Sequence, residues 1–391
     1  MEQVLLIPGP TPLPPRVRQA MATPMINHRG SQFAAIYQEV QARLRQILRL
    51  PPEQPAVIFP SAGTGAMEAA VVNVFSPGDR VLACVMGVFG ARFAQIAATY
   101  GLEVDRLEVE SGRVVTPEAV EERLNLAAGA GKPYAGVLVT HNETSTGVLL
   151  DLENVARVVR QSGAGALLLA DAISSLGAVP VFPEEWGVDV LLTGSQKALM
   201  CPPGLGILIL GERAWQAAEK ARLPRFYWDV RPYRDGFAKG QTPYTPAVSL
   251  WYALRESTGL LLADGLPSYW QRHRAMAAMA RTGLAALGFS LLADDAWASP
   301  TVTAARPPEG VEATKLIAWA RDEQRVVFAG GQGSLTGKII RLAHMGYIQP
   351  EDVLTGLGAL GKALRAEGRP VKPGQATDAA LAAFTALRHG A

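Results

Sequence analysis

An amine and a carboxylate stand at the ends of two short apolar runs. Asp171 closes the run Ala166–Ala170, and Lys197 follows the run Val188–Thr193 across Gly194-Ser195-Gln196. Short apolar runs bounded by turn formers read as buried strands. Lys197 continues into Ala198-Leu199-Met200-Cys201-Pro202-Pro203-Gly204, so its side chain is drawn out of water. Desolvation lowers the pKa of such an amine and makes it a nucleophile and a base. A carboxylate at a neighbouring strand tip can keep a pyridine nitrogen protonated, so that the ring takes up electrons. An amine to condense with an aldehyde and an anion to face the ring nitrogen are what pyridoxal phosphate chemistry requires. Each residue alone has a plainer reading, as a turn-forming Asp and a lysine in solvent. The pair carries the chemistry.

Two further groups converge on the same place. Ser61-Ala62-Gly63-Thr64-Gly65-Ala66-Met67-Glu68 joins a strand to a helix, and its glycines and helix-end N–H groups favour a phosphate. The spacing fits neither the Walker pattern nor the dinucleotide fingerprint, which argues against ATP and NAD. His141-Asn142-Glu143-Thr144-Ser145-Thr146-Gly147 follows the strand Gly136–Thr140. In an open parallel sheet, ligands bind outside the carboxyl ends of the strands, where these groups and Asp171 all fall. Arg341 lies within the apolar strand Lys338–Ala343, and a guanidinium there calls for an anion such as a carboxylate, unless the strand is an edge in solvent.

The elements that must position these groups alternate along the chain. Strands at Val57–Phe59, Arg80–Met86, Gly136–Thr140, Ala166–Ala170 and Val188–Thr193 are interleaved with helical patterns at Gly65–Phe75, Phe89–Tyr100 and Leu152–Ser162. Gly206–Leu210 reads as a hairpin partner. This is an α/β pattern with a mostly parallel sheet and flanking helices. A polar, aromatic connection covers 222–245. Past about residue 255 a long helix, Leu266–Leu287, leads into a smaller α/β unit with strands Thr301–Ala305, Val326–Ala329 and Lys338–Ala343 and helices Glu312–Gln324 and Pro350–Ala366. The expected division is an N-terminal arm (1–20) associated with the small domain, a large cofactor domain (21–255), a small C-terminal domain (256–368), and a linker with a terminal helix (369–391).

Composition narrows the class. The 391 residues are 49% hydrophobic and 18% charged, with a net charge of +2, and the basic residues are scattered, so nucleic acid is not an expected partner. No segment approaches the ~20 apolar residues that span a bilayer, and the start carries no basic, apolar leader. Cys84 and Cys201, the two cysteines, sit in apolar settings and suggest a reducing compartment; the expected location is the cytoplasm.

The chain resembles the class V aminotransferases, in the branch of alanine–glyoxylate and serine–glyoxylate (or serine–pyruvate) enzymes. The matching stretches include Pro8-Gly9-Pro10-Thr11, Asn27-His28-Arg29, Gly63 to Glu68, His141 to Gly147, Asp171-Ala172-Ile173-Ser174-Ser175, Gly194 to Lys197, Thr242-Pro243-Tyr244-Thr245-Pro246 and Gly337 to Arg341. The resemblance implies fold type I, with a mostly parallel seven-stranded sheet and a smaller C-terminal α/β domain. It implies that Lys197 holds pyridoxal 5'-phosphate and moves the proton, while Asp171 faces the ring nitrogen. Phe89 and Ile173 then cover the two ring faces, Thr144 bonds near the ring, and Gly63, Thr64 and Gln196 hold the phosphate. Thr242 and Thr245 reach that phosphate from a second subunit of a homodimer. Arg341 and Gly9 contact the substrate. No metal is implied. Alanine or serine is the expected donor and glyoxylate or pyruvate the acceptor, by a ping-pong reaction. Alternatives are 2-aminoethylphosphonate or ureidoglycine as donor, or a lyase or desulfurase reaction, against which stands the lack of any Cys beyond Cys201. Ala62 stands where relatives often carry Ser, and His344 is a candidate for bearing on the substrate.

Overall fold

The computed structural model describes residues 3–389, so residues 1–2 of the arm and 390–391 of the terminal segment lie outside the described residues. Strand β1 (Val4–Leu6) opens the chain, and helix α1 (Pro15–Met21) starts with proline in its first turn, where no N–H is needed. Helix α2 (Ser31–Leu48) is amphipathic and buries Phe33, Ile36, Tyr37, Val40 and Leu44 along one side. Next come β2 (Ala56–Ser61), α3 (Gly63–Val74), β3 (Arg80–Val85), α4 (Val88–Thr99), β4 (Glu103–Glu108), α5 (Pro117–Gly129) and β5 (Gly136–Thr140). A short hairpin of β6 (Asn142–Glu143) and β7 (Val148–Leu149) precedes α6 (Leu152–Gln161) and β8 (Leu167–Asp171). Then α7 (Pro183–Trp186), β9 (Val190–Gly194) and β10 (Gly204–Leu210) complete a seven-stranded sheet in the order β2-β10-β9-β8-β5-β3-β4.

Only β10 runs against its neighbours in this sheet. The side-chain period of two sends alternate residues to opposite faces. Val137, Val139, Leu168 and Ala170 pack in a core with α2, whereas Leu138, Leu169 and Leu192 pack in a second core with α3 and α4. All residues of β5, β8 and β9 are buried, as central parallel strands require. The fold is the α/β architecture expected. The apolar pattern does not reveal β4, because Glu103, Asp105, Arg106 and Glu108 are the charges of a partly exposed edge strand.

The second half adds α8 (Glu212–Lys220), α9 (Arg231–Phe237), α10 (Val248–Ala263) and α11 (Leu266–Ala286). Helix α9 lies inside the stretch 222–245 that reads as a connection. Strands β11 (Ser290–Leu291) and β12 (Val302–Arg306), helix α12 (Ala313–Gln324), strands β13 (Val326–Gly330) and β14 (Ile340–Ala343), and helices α13 (Pro350–Ala366) and α14 (Gln375–His389) follow. Asp352 in the first turn of α13 accepts from the Gln349 N–H at 2.8 Å and fixes that helix start. The second sheet has the order β1-β13-β14-β12-β11, with β1 parallel to β13 and Leu5 opposite Val327. Pairing of β1 with this sheet, and of α1 with α10, stretches residues 7–14 across the top of the large sheet.

Candidate active site

The carboxyl ends of β2, β5, β8 and β9 meet at one edge, where the loops after them enclose a cavity of about 110 Å³. Gly63, Thr64, Gln196 and Lys197 line it from the β2 and β9 ends. Phe89, Thr144, Asp171 and Ile173 line it from α4 and from the loops after β5 and β8. Eight residues singled out in the sequence are thus brought together. Met67, Arg92, Asn142 and Ser174 line it as well, although nothing in the sequence gives them a role there.

Asp171 is 3% exposed, and its Oδ1 accepts from the Ile173 N–H at 2.8 Å. Burial pushes its carboxyl up to about 7, helped by the like charge of Glu143 and opposed by that hydrogen bond, Lys197 and Arg92. Burial also pushes the Lys197 amine down to about 8; Arg341 and Arg92 add to the fall and Asp171 opposes it. The Lys197 Nζ donates to the carbonyl of Pro8. The arm is tied there by two more bonds, from Thr11 N–H to the Gln196 carbonyl and from Thr11 Oγ1 to the Lys197 carbonyl, each 3.2 Å. Gly9 has φ +123, and a Cβ there would lie 2.6 Å from Nζ.

The α3 N-terminus has no side-chain cap, so its first N–H groups are free for an anion. A Cβ on Gly63 would lie 2.8 Å from Ile173 Cγ1, which shows how tightly the Ile173 side chain covers this turn. Gln196 Oε1 is buried without a hydrogen-bond partner.

Glu143, fully buried, organises the opposite wall. Its Oε2 accepts from the N–H groups of Phe89 (3.1 Å) and Gly90 (3.0 Å), and its Oε1 accepts from Ser145 N–H (3.1 Å) and Oγ (2.6 Å). Ser145 Oγ in turn accepts from Val88 N–H at 3.0 Å. The pair caps α4 and so fixes Phe89. Burial raises the Glu143 carboxyl, and the accepted bonds resist that rise.

Arg341 is 6% exposed and flanks the cavity. Its Nε donates to the Gly330 carbonyl at 2.8 Å and its Nη1 to the Thr144 carbonyl at 3.2 Å. Burial lowers this guanidinium from its ordinary value and Glu143 pulls it back up. Among the described residues it forms no ion pair. Thr242 and Thr245 do not line the cavity. Thr242 Oγ1 donates to the Tyr244 carbonyl at 2.7 Å, and Thr245 is exposed. His344 is also elsewhere. It is fully buried, with Nδ1 3.0 Å from the Pro300 carbonyl and Nε2 3.0 Å from Thr303 Oγ1, so it braces the small sheet.

These side chains fit pyridoxal phosphate. A buried carboxylate with one hydrogen bond can take a cationic ring nitrogen, an uncapped helix start can take a phosphate, and a desolvated amine can take the aldehyde. Comparison with known proteins agrees. The aminotransferase class-V family matches residues 4–352. A protein named as the small subunit of a soluble hydrogenase from Synechococcus sp. (strain PCC 6716) is 39% identical over 91% of each chain. The serine–glyoxylate aminotransferase of Methylorubrum extorquens is 35% identical over 96% of this chain and 94% of its own. Among solved structures, the ureidoglycine–glyoxylate aminotransferase of Bacillus subtilis has a TM-score of 0.92 at 29% identity, covering 98% of both chains. The alanine–glyoxylate aminotransferase of a Nostoc species has a TM-score of 0.88 at 33% identity, covering 93% of this chain and 96% of its own. The chain therefore belongs to the class V aminotransferases and is a transaminase dependent on pyridoxal phosphate.

Proposed function

We propose that the enzyme moves an amino group from alanine or serine to glyoxylate or pyruvate by a ping-pong reaction. The observation that carries this reading is the crowding of Lys197 by the arm: Pro8 accepts from Nζ, and Gly9 leaves no room for a methyl group. A site roofed so closely by backbone suits a donor with a small side chain. The serine–, alanine– and ureidoglycine–glyoxylate relatives share the acceptor, which supports glyoxylate for this chain.

Bound pyridoxal phosphate supplies an electron sink that stabilises negative charge at the substrate Cα. Asp171 supplies the fixed negative charge that keeps the ring nitrogen protonated, at no reorganisation cost because it is already buried and aimed. Lys197 Nζ, once released, removes the Cα proton and returns it on the other side of the transfer. Its depressed basicity suits both directions near neutral pH. Arg341 takes the substrate carboxylate, the partner its guanidinium otherwise lacks. Gly63, Thr64 and Gln196 hold the phosphate, Phe89 and Ile173 hold the ring between them, and Thr144 bonds beside it. The arm at Pro8 and Gly9 excludes water.

We also read the enzyme as a cytoplasmic homodimer in which Thr242 and Thr245 serve the cavity of the second copy. Both lie away from their own cavity, beside an aromatic group in which Phe226 is 77% exposed and its ring lies tilted against that of Tyr244, 5.7 Å between centroids. The two cysteines are free and buried, which suits a reducing compartment. A hydrogenase role, suggested by the name of the Synechococcus relative, finds no group of three or more His, Cys, Asp or Glu placed to hold a metal among the described residues.

Steady-state kinetics with a panel of alanine, serine, aspartate and ureidoglycine against glyoxylate tests the substrate assignment. Parallel double-reciprocal lines with the highest kcat/KM for alanine or serine are expected. Intersecting lines, or a preference for aspartate or ureidoglycine, would refute it.

A further inference from the structure

We propose that Arg92 is an anion ligand of the phosphate cradle, a role that the motifs of the site do not assign to it. Arg92 lies on α4, three residues after Phe89, and long helical side chains lean back over the preceding turn. Its guanidinium accordingly lies over the Phe89 ring, 4.9 Å from the centroid. From there its Nη1 donates to Thr64 Oγ1 at 3.3 Å, reaching the first turn of α3, and the side chain lines the same cavity as Lys197 and Asp171.

Charge balance singles this residue out. Three cations, Lys197, Arg92 and Arg341, bear on the cavity, and Arg92 and Arg341 both disfavour the protonated form of Lys197. The facing carboxylates are Asp171, which the ring nitrogen claims, and Glu143, whose oxygens accept four hydrogen bonds from the α4 start and Ser145. Among the described residues Arg92 forms no ion pair. A half-buried cation held among like charges is costly unless a ligand brings the counter-charge. Two anions enter this site, the cofactor phosphate and the substrate carboxylate. Arg341 bonds to Thr144, on the side of the ring, whereas Arg92 bonds to Thr64, at the uncapped helix start. Arg92 therefore answers to the phosphate. Its guanidinium supplies a full charge that helix N–H groups and hydroxyls do not, and it holds Phe89 as a flat shelf at the same time. This inference rests on the reading of the α3 start as the phosphate site.

The test is equilibrium binding to the apoprotein of pyridoxal phosphate and of pyridoxal, which lacks the phosphate, for wild type, Arg92→Gln, Arg92→Lys and Thr64→Val. Arg92→Gln is expected to weaken pyridoxal phosphate about ten- to hundredfold while changing pyridoxal less than about threefold, as loss of a charged phosphate contact requires. Arg92→Lys should recover part of the loss, and inorganic phosphate should compete less well against Arg92→Gln than against wild type. Equal weakening of both ligands would overturn the proposal, because Arg92 would then act only through the Phe89 shelf. So would unchanged affinity, with or without a selective loss of aspartate turnover relative to alanine. Thr64→Val separates the two layers. If it spares the discrimination between the two ligands, the phosphate site itself is misplaced; if it abolishes discrimination and Arg92→Gln does not, only the role of Arg92 fails.

Discussion

Gly9 is pressed against Lys197: the backbone turns there at φ +123, and a Cβ would lie 2.6 Å from Nζ and 2.8 Å from Cδ and Cε. The arm that carries Gly9 is held by β1 in the small sheet, so the Lys197 amine is held by a segment far from it in sequence. Gly9→Ala must therefore move either the arm or the lysine, and the left-handed backbone resists any side chain. We expect kcat/KM to fall by about a hundredfold, in line with the cost of misplacing a reacting group by about 1 Å. Steady-state kinetics together with thermal unfolding checks this. Unchanged kcat/KM would mean that the arm does not orient Lys197.

Burial of Asp171 has a price in the apoprotein that pH exposes. Its carboxyl is held at about 7 in the folded chain against an ordinary 3.8, so between these values the folded state binds a proton that the unfolded state has lost. Stability then falls as pH rises from 3.8 to 7 and stays low above 7, by roughly 2–4 kcal/mol. Asp171→Asn removes that cost. Its apoprotein should be the more stable at pH 8, with the gap closing near pH 4, while kcat of the loaded enzyme falls about a thousandfold. Urea unfolding at the two pH values decides the first part. A variant less stable than wild type at pH 8 would show that desolvation does not dominate at this site.

Glu143 ties the Phe89 wall to the same electrostatics. Glu143→Gln keeps the shape, but loses the charge that the Phe89, Gly90 and Ser145 donors address. We expect a loss of about 2 kcal/mol of stability. The midpoint of the Asp171-linked pH transition should also shift down, because the like charge that raises it is gone. Both are read from denaturation curves across pH. A midpoint that moves up, or stays where it is, would show that the two carboxylates do not interact.

Arg341 offers a cleaner separation of binding from chemistry. Arg341→Ala should raise KM for alanine by about a hundredfold, the scale of a lost charge-assisted, bidentate contact. Turnover of an amine without a carboxylate should change by less than about threefold. Equal losses on both substrates would assign Arg341 a structural role through its bonds to Gly330 and Thr144.

The parts of the site that show in the sequence are those built from a strand and the turn after it. Asp171 ends one apolar run and Lys197 follows another by a short turn, and apolar runs of this kind become buried central strands, so both side chains emerge at one sheet edge. What stays hidden depends on contacts between distant segments. Arg92 meets Thr64 from a different helix, and nothing in the spacing of either residue announces the meeting. Glu143 stands inside a recognisable motif, yet its role as a cap appears only when α4 is docked against it. Strand β4 stays hidden for the opposite reason, since an edge strand needs no apolar alternation. His344 shows the converse: a histidine beside motif residues invites a substrate role, and only the folded chain places it against Pro300 and Thr303.

Borohydride reduction of the holoenzyme followed by peptide mapping reads the attachment of the cofactor to Lys197 directly. The cofactor should be fixed to the peptide that contains Lys197, and prior replacement of Lys197 by Ala should abolish the labelled peptide. Cofactor fixed to any other lysine, or equal labelling in the Lys197→Ala variant, would show that Lys197 does not carry it.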